Sequence, residues 1–508
     1  MLKRGGPLRR DKRLKRAGVA GAALLTAIAL AGCASDGSGA AAGSAAVPIA
    51  PAWHFVSRPD LTPPIVTATP HSPSDSVNAA GTSGSDGDYV LLGPKDTDNG
   101  SPMTGEEIVD DHGNPVWVNS SSVGTFNFTQ QTYQGKPVLT YWKGPSTFYG
   151  NGDVVILNEN YQQVATVTTG GDLGPHKADM HESLITPQGT MLLTSYPKVQ
   201  VDLTSVGGPK DGWVFEGVAQ EVDIATGKVL FEWKSLDHVP LTDSYQPLGK
   251  GDGTKDQPYD YFHINSVQDD GADQVLVSSR DTHAVYEISR STGETTWQLG
   301  GKHSSFTMGP DATFSWQHDA RRQADGTITL FDNDQSPNSS RGLRLSLDTS
   351  TMTATVAAQY LPPAKRMSAT QGNVQVLPSG NVLVGWGSEP YYSEYSADGT
   401  LLSDHSFGGG TSYRAYLANW VGAPTTPPDV VVAGSGASAV VYVSWNGATE
   451  VSSWRVLSGS SAATATVVGT ETRGGFETAI AVPNPGAYVA VQALDSSGKV
   501  IGAGLPKT

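Results

Sequence analysis

His263-Ile-Asn-Ser-Val-Gln-Asp-Asp-Gly271 aligns without a gap on three other stretches of the chain: His181-Glu-Ser-Leu-Ile-Thr-Pro-Gln-Gly189, His318-Asp-Ala-Arg-Arg-Gln-Ala-Asp-Gly326 and Gly372-Asn-Val-Gln-Val-Leu-Pro-Ser-Gly380. In each, the first residue precedes a turn glycine by eight positions, and a short apolar segment follows: Met191-Leu-Leu, Gln274-Val-Leu-Val, Thr327-Ile-Thr-Leu and Asn381-Val-Leu-Val. The unit then continues with a strand, a Thr-Gly or Asp-Gly turn and another strand, as in Gln220-Glu-Val-Asp-Ile-Ala-Thr-Gly-Lys-Val-Leu-Phe-Glu-Trp233. Four short strands repeating at this period predict the blades of a β-propeller.

Two weaker units, residues 89–118 and 126–168, precede these four, so the expectation is all-β: a six-bladed β-propeller over residues 88–423. Successive histidine positions stand 55 and 54 residues apart from His263 through His318 to Gly372, but 82 apart between His181 and His263. The excess is assigned to a polar loop from about Pro240 to Asp260, near the mouth of the funnel. Beyond a Thr/Pro-rich linker at 424–428, six evenly spaced strands and the segment Val443-Ser-Trp445-Asn-Gly447 predict a small fibronectin-type β-sandwich over 424–508.

With 508 residues the chain can bury a large core. Its net charge of −16 excludes a nucleic-acid partner, because phosphate binding needs a basic face. The start reads as an export signal: Lys3 to Arg16 carries eight cationic side chains, an apolar run follows from Ala17 to Ala31, and Leu30-Ala31-Gly32-Cys33 has the form of a bacterial lipobox. Residues 1–33 are therefore expected to be a lipoprotein signal, with Cys33 lipidated and the protein held extracytoplasmically on the cell membrane. Residues 34–87 are read as a flexible tether and N-terminal segment. Cys33 is the one cysteine, so once it is lipidated disulfides, thiolate metal sites and cysteine nucleophiles are excluded.

Equivalent repeat positions occupy equivalent places, so His181, His263 and His318 are expected to converge on the axis. Asn265 lies two residues past His263 on the same strand face, and Arg280 ends the following strand. Three imidazoles, an amide and a guanidinium suit an oxyanion such as a phosphoryl or sulfuryl group. Imidazole is also a nucleophile that exchanges protons near neutral pH. The rival chemistry is a three-histidine zinc site, which the neighbouring Arg280 disfavours. Glu182 and Asp319 follow His181 and His318 directly, and strand alternation turns them away. No metal and no cofactor are expected. His54, His71, His112, His238, His283 and His405 are read as structural, while the loops of His176 and His303 are placed near the funnel.

At these residues the chain resembles the bacterial arylsulfate sulfotransferases found as exported proteins and lipoproteins. The resembling segments include Ser57-Arg-Pro-Asp-Leu-Thr-Pro-Pro64, Met180-His181-Glu, Asp260-Tyr-Phe-His-Ile-Asn-Ser-Val267, Trp297-Gln-Leu-Gly-Gly-Lys302, Trp316-Gln-His-Asp-Ala320, Thr329-Leu-Phe-Asp-Asn333 and Ser412-Tyr-Arg414. They run from about Ser57 to Ala423. The resemblance implies a six-bladed propeller that moves a sulfuryl group from a phenolic sulfate ester to an acceptor phenol without the nucleotide donor PAPS. It implies that His318 becomes a sulfohistidine, that His263, Asn265 and Arg280 hold the sulfate oxygens, and that His181 exchanges a proton with the phenols. The chain departs from the enteric members in lacking a disulfide, and Gly372 aligns in the blade where they carry a late threonine, with Thr370 close by. Two other functions stay open from the residues: a quinoprotein-like or metal-binding propeller oxidoreductase, prompted by the Thr-Gly…Trp blade endings, and a non-catalytic surface-binding propeller.

Overall fold

In the computed structural model the described residues are 52–68, 88–95, 105–120, 124–145, 149–271, 273–333 and 339–507. The expected signal at 1–33, with Cys33, lies outside them. Among the described residues no helix is long and apolar enough to cross a membrane.

The chain is all-β. Six sheets of four or five strands, antiparallel but for the pairing of Thr307–Met308 with Thr353–Tyr360, follow one another from Tyr89 to Ala418, and Thr67–Ala68 adds an outer strand to the sixth. The innermost strands are Thr411–Ala418, Gly124–Tyr133, Ser183–Ile185, Ile264–Asp269, His318–Arg322 and Asn373–Val376, for the first to the sixth sheet. Neighbouring sheets touch in cyclic order, and Val382–Gly385 of the sixth packs on Thr411–Ala418 of the first, which closes the ring. That closure is covalently asymmetric: the first sheet takes Tyr89–Lys95, Gly105–Asp110 and Pro115–Ser120 from the start of the ring and its inner strand from the end. Pairing the two ends removes the free edges that an open array would expose.

Side-chain amides stitch one inner strand to the next. Gln131 donates to Ser183 O at 2.9 Å and accepts from Ile185 N–H at 2.7 Å. Gln268 brackets Arg322 in the same way, and Gln375 and Asn373 bracket Leu417 and Ala415. Each amide meets a buried donor and acceptor that a twisted ring leaves unpaired between sheets.

Several local features differ from the sequence expectation. The long interval between His181 and His263 holds more than a polar loop: Lys198–Val201, Gly212–Phe215 and Tyr259–Asp260 form a separate three-stranded sheet, with Val214 parallel to Tyr259. Within residues 34–87, the described part is packed: Phe55 and Leu61 are buried, and Ser57 Oγ lies 2.7 Å from Ser444 Oγ. Beyond residue 424 there are seven strands in sheets of three and four, Val500–Gly504 being the one not anticipated. Their shared core centres on Trp454, whereas Trp445 is only partly buried and donates to Thr426 O at 2.7 Å. Asn446 brackets the backbone of Val118, so this module is held against the ring by direct pairing.

Candidate active site

His181, His263 and His318 come together. The rings of His181 and His263 are 4.9 Å apart between centroids, and those of His263 and His318 are 6.5 Å apart. All three are buried. Local backbone aims them. His263 has φ 54°, Trp316 and Asp319 also have φ 54°, and the inner strands carry bulges after Ile264 and His318. Positive φ at non-glycine residues costs energy and redirects side chains, and it concentrates at functional sites.

The Nδ1 atoms have different partners. His181 Nδ1 is hydrogen-bonded to Asp179, which is fully buried and also accepts from Gly150 N–H at 2.8 Å. His263 Nδ1 lies 2.5 Å from Asp260 Oδ2, and the same oxygen accepts from Tyr149 OH at 2.6 Å. His318 Nδ1 instead lies 2.8 Å from Asn333 Oδ1 and 3.2 Å from Trp316 O. Asn333 Nδ2 donates to Ser368 O and Gln371 O, both at 2.9 Å. Two carbonyl acceptors demand the NH₂ end of the amide, so its oxygen faces His318 and His318 Nδ1 must be the donor. The Gln371 N–H donates to His318 Nε2 at 3.2 Å, which requires a lone pair there. His318 is thus the neutral Nδ1–H tautomer.

Electrostatics agree. Burial, then the positive field of Arg280, hold His318 well below the ordinary imidazole range. Burial opposes protonation of His263 too, but the Asp260 carboxylate overrides it and raises that ring. Burial and the neighbouring Asp260 push the Asp281 carboxyl up to about 6.

Arg280 lies beside His263. Its backbone N–H donates to His263 O at 2.9 Å, its guanidinium lies 4.6 Å over Trp316, and Nη1 is 2.7 Å from Asp281. Asn265 lies against the wall beside His318, with one amide N–H given to Gln317 O at 2.6 Å. Aromatic rings complete the surroundings. Tyr196 lies 5.5 Å from His181 and 5.9 Å from His263, Tyr149 lies 6.2 Å from His263, and Tyr413 lies 5.9 Å from His181. Tyr149, Tyr196 and Phe215 also line a cavity of about 580 Å³ that adjoins the histidines. Phe215 and Asp260 come from the unanticipated sheet, so that insertion builds one side of the site.

Glu182 and Asp319 do turn away, into a buried tetrad with Arg321 and Arg414. His176 pairs with Asp153 and His303 with Asp243, both exposed, and neither joins the cluster. His238 stacks on Trp233 and His405 on Tyr392. Ligand atoms of Asp260, His263 and Asp281 lie within 4.8 Å of one another, close enough to hold a cation. Their charges are already met inside the protein, however, by the Asp260–His263 and Arg280–Asp281 pairs.

Asp179, Asp260, Asn333 and Gln371 were not identified as site residues from sequence. A signal existed for the first two, an aspartate two or three residues ahead of each histidine. Asn333 ends the quoted segment Thr329-Leu-Phe-Asp-Asn333, and the hairpin register that sets His318 opposite Phe331 brings it to the ring.

A family model described as arylsulfotransferase (ASST) matches residues 129–408, more than half of the chain. No curated protein matches it. Among solved structures, a protein of unknown function from Bacteroides caccae is 12% identical, with 65% of this chain and 98% of that one covered and a TM-score of 0.38. The β-propeller domain of Cps50 (Swd1) from Myceliophteria thermophila is 11% identical, covering 65% and 97%, with a TM-score of 0.32. A catalytically inactive virginiamycin B lyase from Staphylococcus aureus is 9% identical, covering 75% and 96%, with a TM-score of 0.33.

Proposed function

This chain belongs to the arylsulfotransferase family, and on that premise we propose that it moves a sulfuryl group from a phenolic sulfate ester to an acceptor phenol, without a nucleotide donor, through a sulfohistidine at His318. The carrying observation is the neutral His318 with its lone pair on Nε2, clustered with two histidines whose Nδ1 atoms are held by carboxylates. The ring of six sheets is read as a six-bladed propeller over 88–423, and the C-terminal sheets as a fibronectin-type sandwich over 424–508.

In the first half-reaction the His318 Nε2 pair bonds to sulfur and the S–O(aryl) bond breaks, its electrons leaving on the phenolate oxygen. His181 Nε2 delivers a proton to that oxygen, while Asp179 holds the opposite nitrogen. His263, Asn265 and Arg280 meet the charge on the sulfuryl oxygens. In the second half an acceptor phenol gives its proton to His181, its oxygen bonds to sulfur, and the N–S pair returns to His318. The tyrosines around His181 and His263 offer apolar faces to the aryl rings. Lipidation at Cys33 would place this chemistry on the outer face of the cell membrane.

The test is nitrophenol release from p-nitrophenyl sulfate with and without added phenol. Release that depends on the acceptor is expected. Release that ignores it would make the protein a sulfatase, and no release would remove the proposed activity.

A further inference from the structure

Three histidine rings form one cluster, and their Nδ1 partners divide them into two kinds. Asp179 and Asp260 are carboxylates, whereas His318 Nδ1 faces two neutral acceptors, the Asn333 amide oxygen, oriented by Ser368 O and Gln371 O, and the more distant Trp316 O. We propose that Asn333 is a positioning residue that selects His318 as the nucleophile: its amide oxygen accepts the Nδ1–H without bringing a negative charge, so the ring stays neutral with its lone pair on Nε2, where a carboxylate partner would favour imidazolium. The proposal rests on the sulfuryl-transfer reading and adds to it the reason that one histidine of three carries the group.

Arg280, His263 and His181 face His318 and disfavour its protonation. The adjacent Asp319 is spent on Arg321, at 2.7 Å. Asp332, next to Asn333, is paired with Arg341 at 3.1 Å. Asp260 and Asp281 stand behind their own partners, His263 and Arg280. No carboxylate among the described residues contacts the His318 ring.

A neutral partner also suits the second half-reaction. Bonding of Nε2 to sulfur leaves the ring cationic, with its Nδ1–H still given to Asn333. A carboxylate in that place would stabilise the cation, or take its proton and leave a neutral sulfoimidazole, a poorer leaving group. An amide does neither. The N–S bond therefore stays labile, and its electron pair returns readily to Nε2 when the acceptor oxygen bonds to sulfur.

The experiment uses full-length protein in detergent, labelled with ¹⁵N-histidine. Long-range ¹H–¹⁵N spectra report the tautomer and charge of each ring without any substrate. His318 is expected as the neutral Nδ1–H form at neutral pH and on into the acid range where an ordinary imidazole would be charged. Asn333→Asp should convert it toward imidazolium at neutral pH, move the acid limb of the kcat/KM profile upward by about one pH unit or more, and lengthen the lifetime of the sulfurylated enzyme. Asn333→Leu should slow turnover about tenfold or more without that upward shift. An Nε2–H or cationic His318 in the unsubstituted protein would overturn the proposal, as would a folded Asn333→Asp whose acid limb has not moved. Should Asn333→Asp fail to fold, the spectrum of the unsubstituted protein still decides. Absence of nitrophenol release from the unsubstituted protein would instead sink the sulfuryl-transfer reading, with the tautomer measured independently.

Discussion

Arg414 of the first sheet and Glu182 of the third meet on the axis, Arg414 Nη1 lying 3.2 Å from Glu182 Oε1 with both side chains buried. Asp319 and Arg321 of the fifth sheet complete the group, so two carboxylates balance two guanidiniums. Burial works against charge on Glu182, yet Arg321 and Arg414 hold its carboxyl below the usual range. Three sheets are thereby tied at a point just past the histidines. Removing one partner leaves an uncompensated buried charge, so Arg414→Met should cost about 3–5 kcal/mol. A urea unfolding midpoint measured beside that of the double variant Glu182→Gln/Arg414→Met checks it, and the double variant should recover part of the loss.

His181 is assigned the proton transfer, and leaving-group chemistry exposes that role. His181→Gln should slow transfer from phenyl sulfate, whose phenolate is a poor leaving group, by about 10²–10⁴-fold. With p-nitrophenyl sulfate the loss should be much smaller, since nitrophenolate departs without help. Rates from a series of substituted phenyl sulfates, plotted against phenol pKa, should steepen in the variant.

Gly372, the repeat position without a histidine, has φ 99°, and a Cβ there would lie 2.5 Å from the Phe331 ring. It follows Gln371, whose N–H reaches His318. Gly372→Ala should therefore cost about 1–3 kcal/mol of stability, read as a lowered Tm in thermal unfolding.

His283 stacks on Tyr245 at 4.1 Å and against the edge of Trp316 at 4.4 Å. Burial first, then Arg280, pushes its pKa down to about 4. The unfolded chain takes up that proton near its ordinary value of about 6.5 and the folded chain only near 4, so the stability is fully present above about pH 6.5 and is lost as pH falls toward 4. His283→Phe keeps the stack and removes the titration. Its Tm should fall less than that of the unsubstituted protein across this interval.

Much of the site was legible because it is periodic. His181, His263 and His318 share one offset from a turn glycine, and stacked repeats convert a shared offset into shared space. The ring partners that distinguish them have no period. Asp179 sits two residues before its histidine and Asp260 three before, the latter on a strand inserted into one repeat only. Asn333 reaches His318 across a hairpin, and its orientation depends on Ser368 and Gln371 from the following connection. The inner strand Thr411–Ala418 was likewise hidden, since its pairing with Tyr89–Lys95 joins segments more than three hundred residues apart. The small parallel pairing of Val214 and Phe215 with Tyr259 and Asp260 is too short to leave an alternating pattern.

The central claim is that His318 carries the sulfuryl group, and a single-turnover trap tests it most directly. Protein mixed with p-nitrophenyl sulfate in the absence of acceptor, quenched at alkaline pH and mapped by mass spectrometry, should bear one SO₃ on the peptide containing His318. The adduct should vanish on addition of phenol and be absent from His318→Ala. An adduct on another residue, or transfer to phenol that survives His318→Ala, would contradict the account.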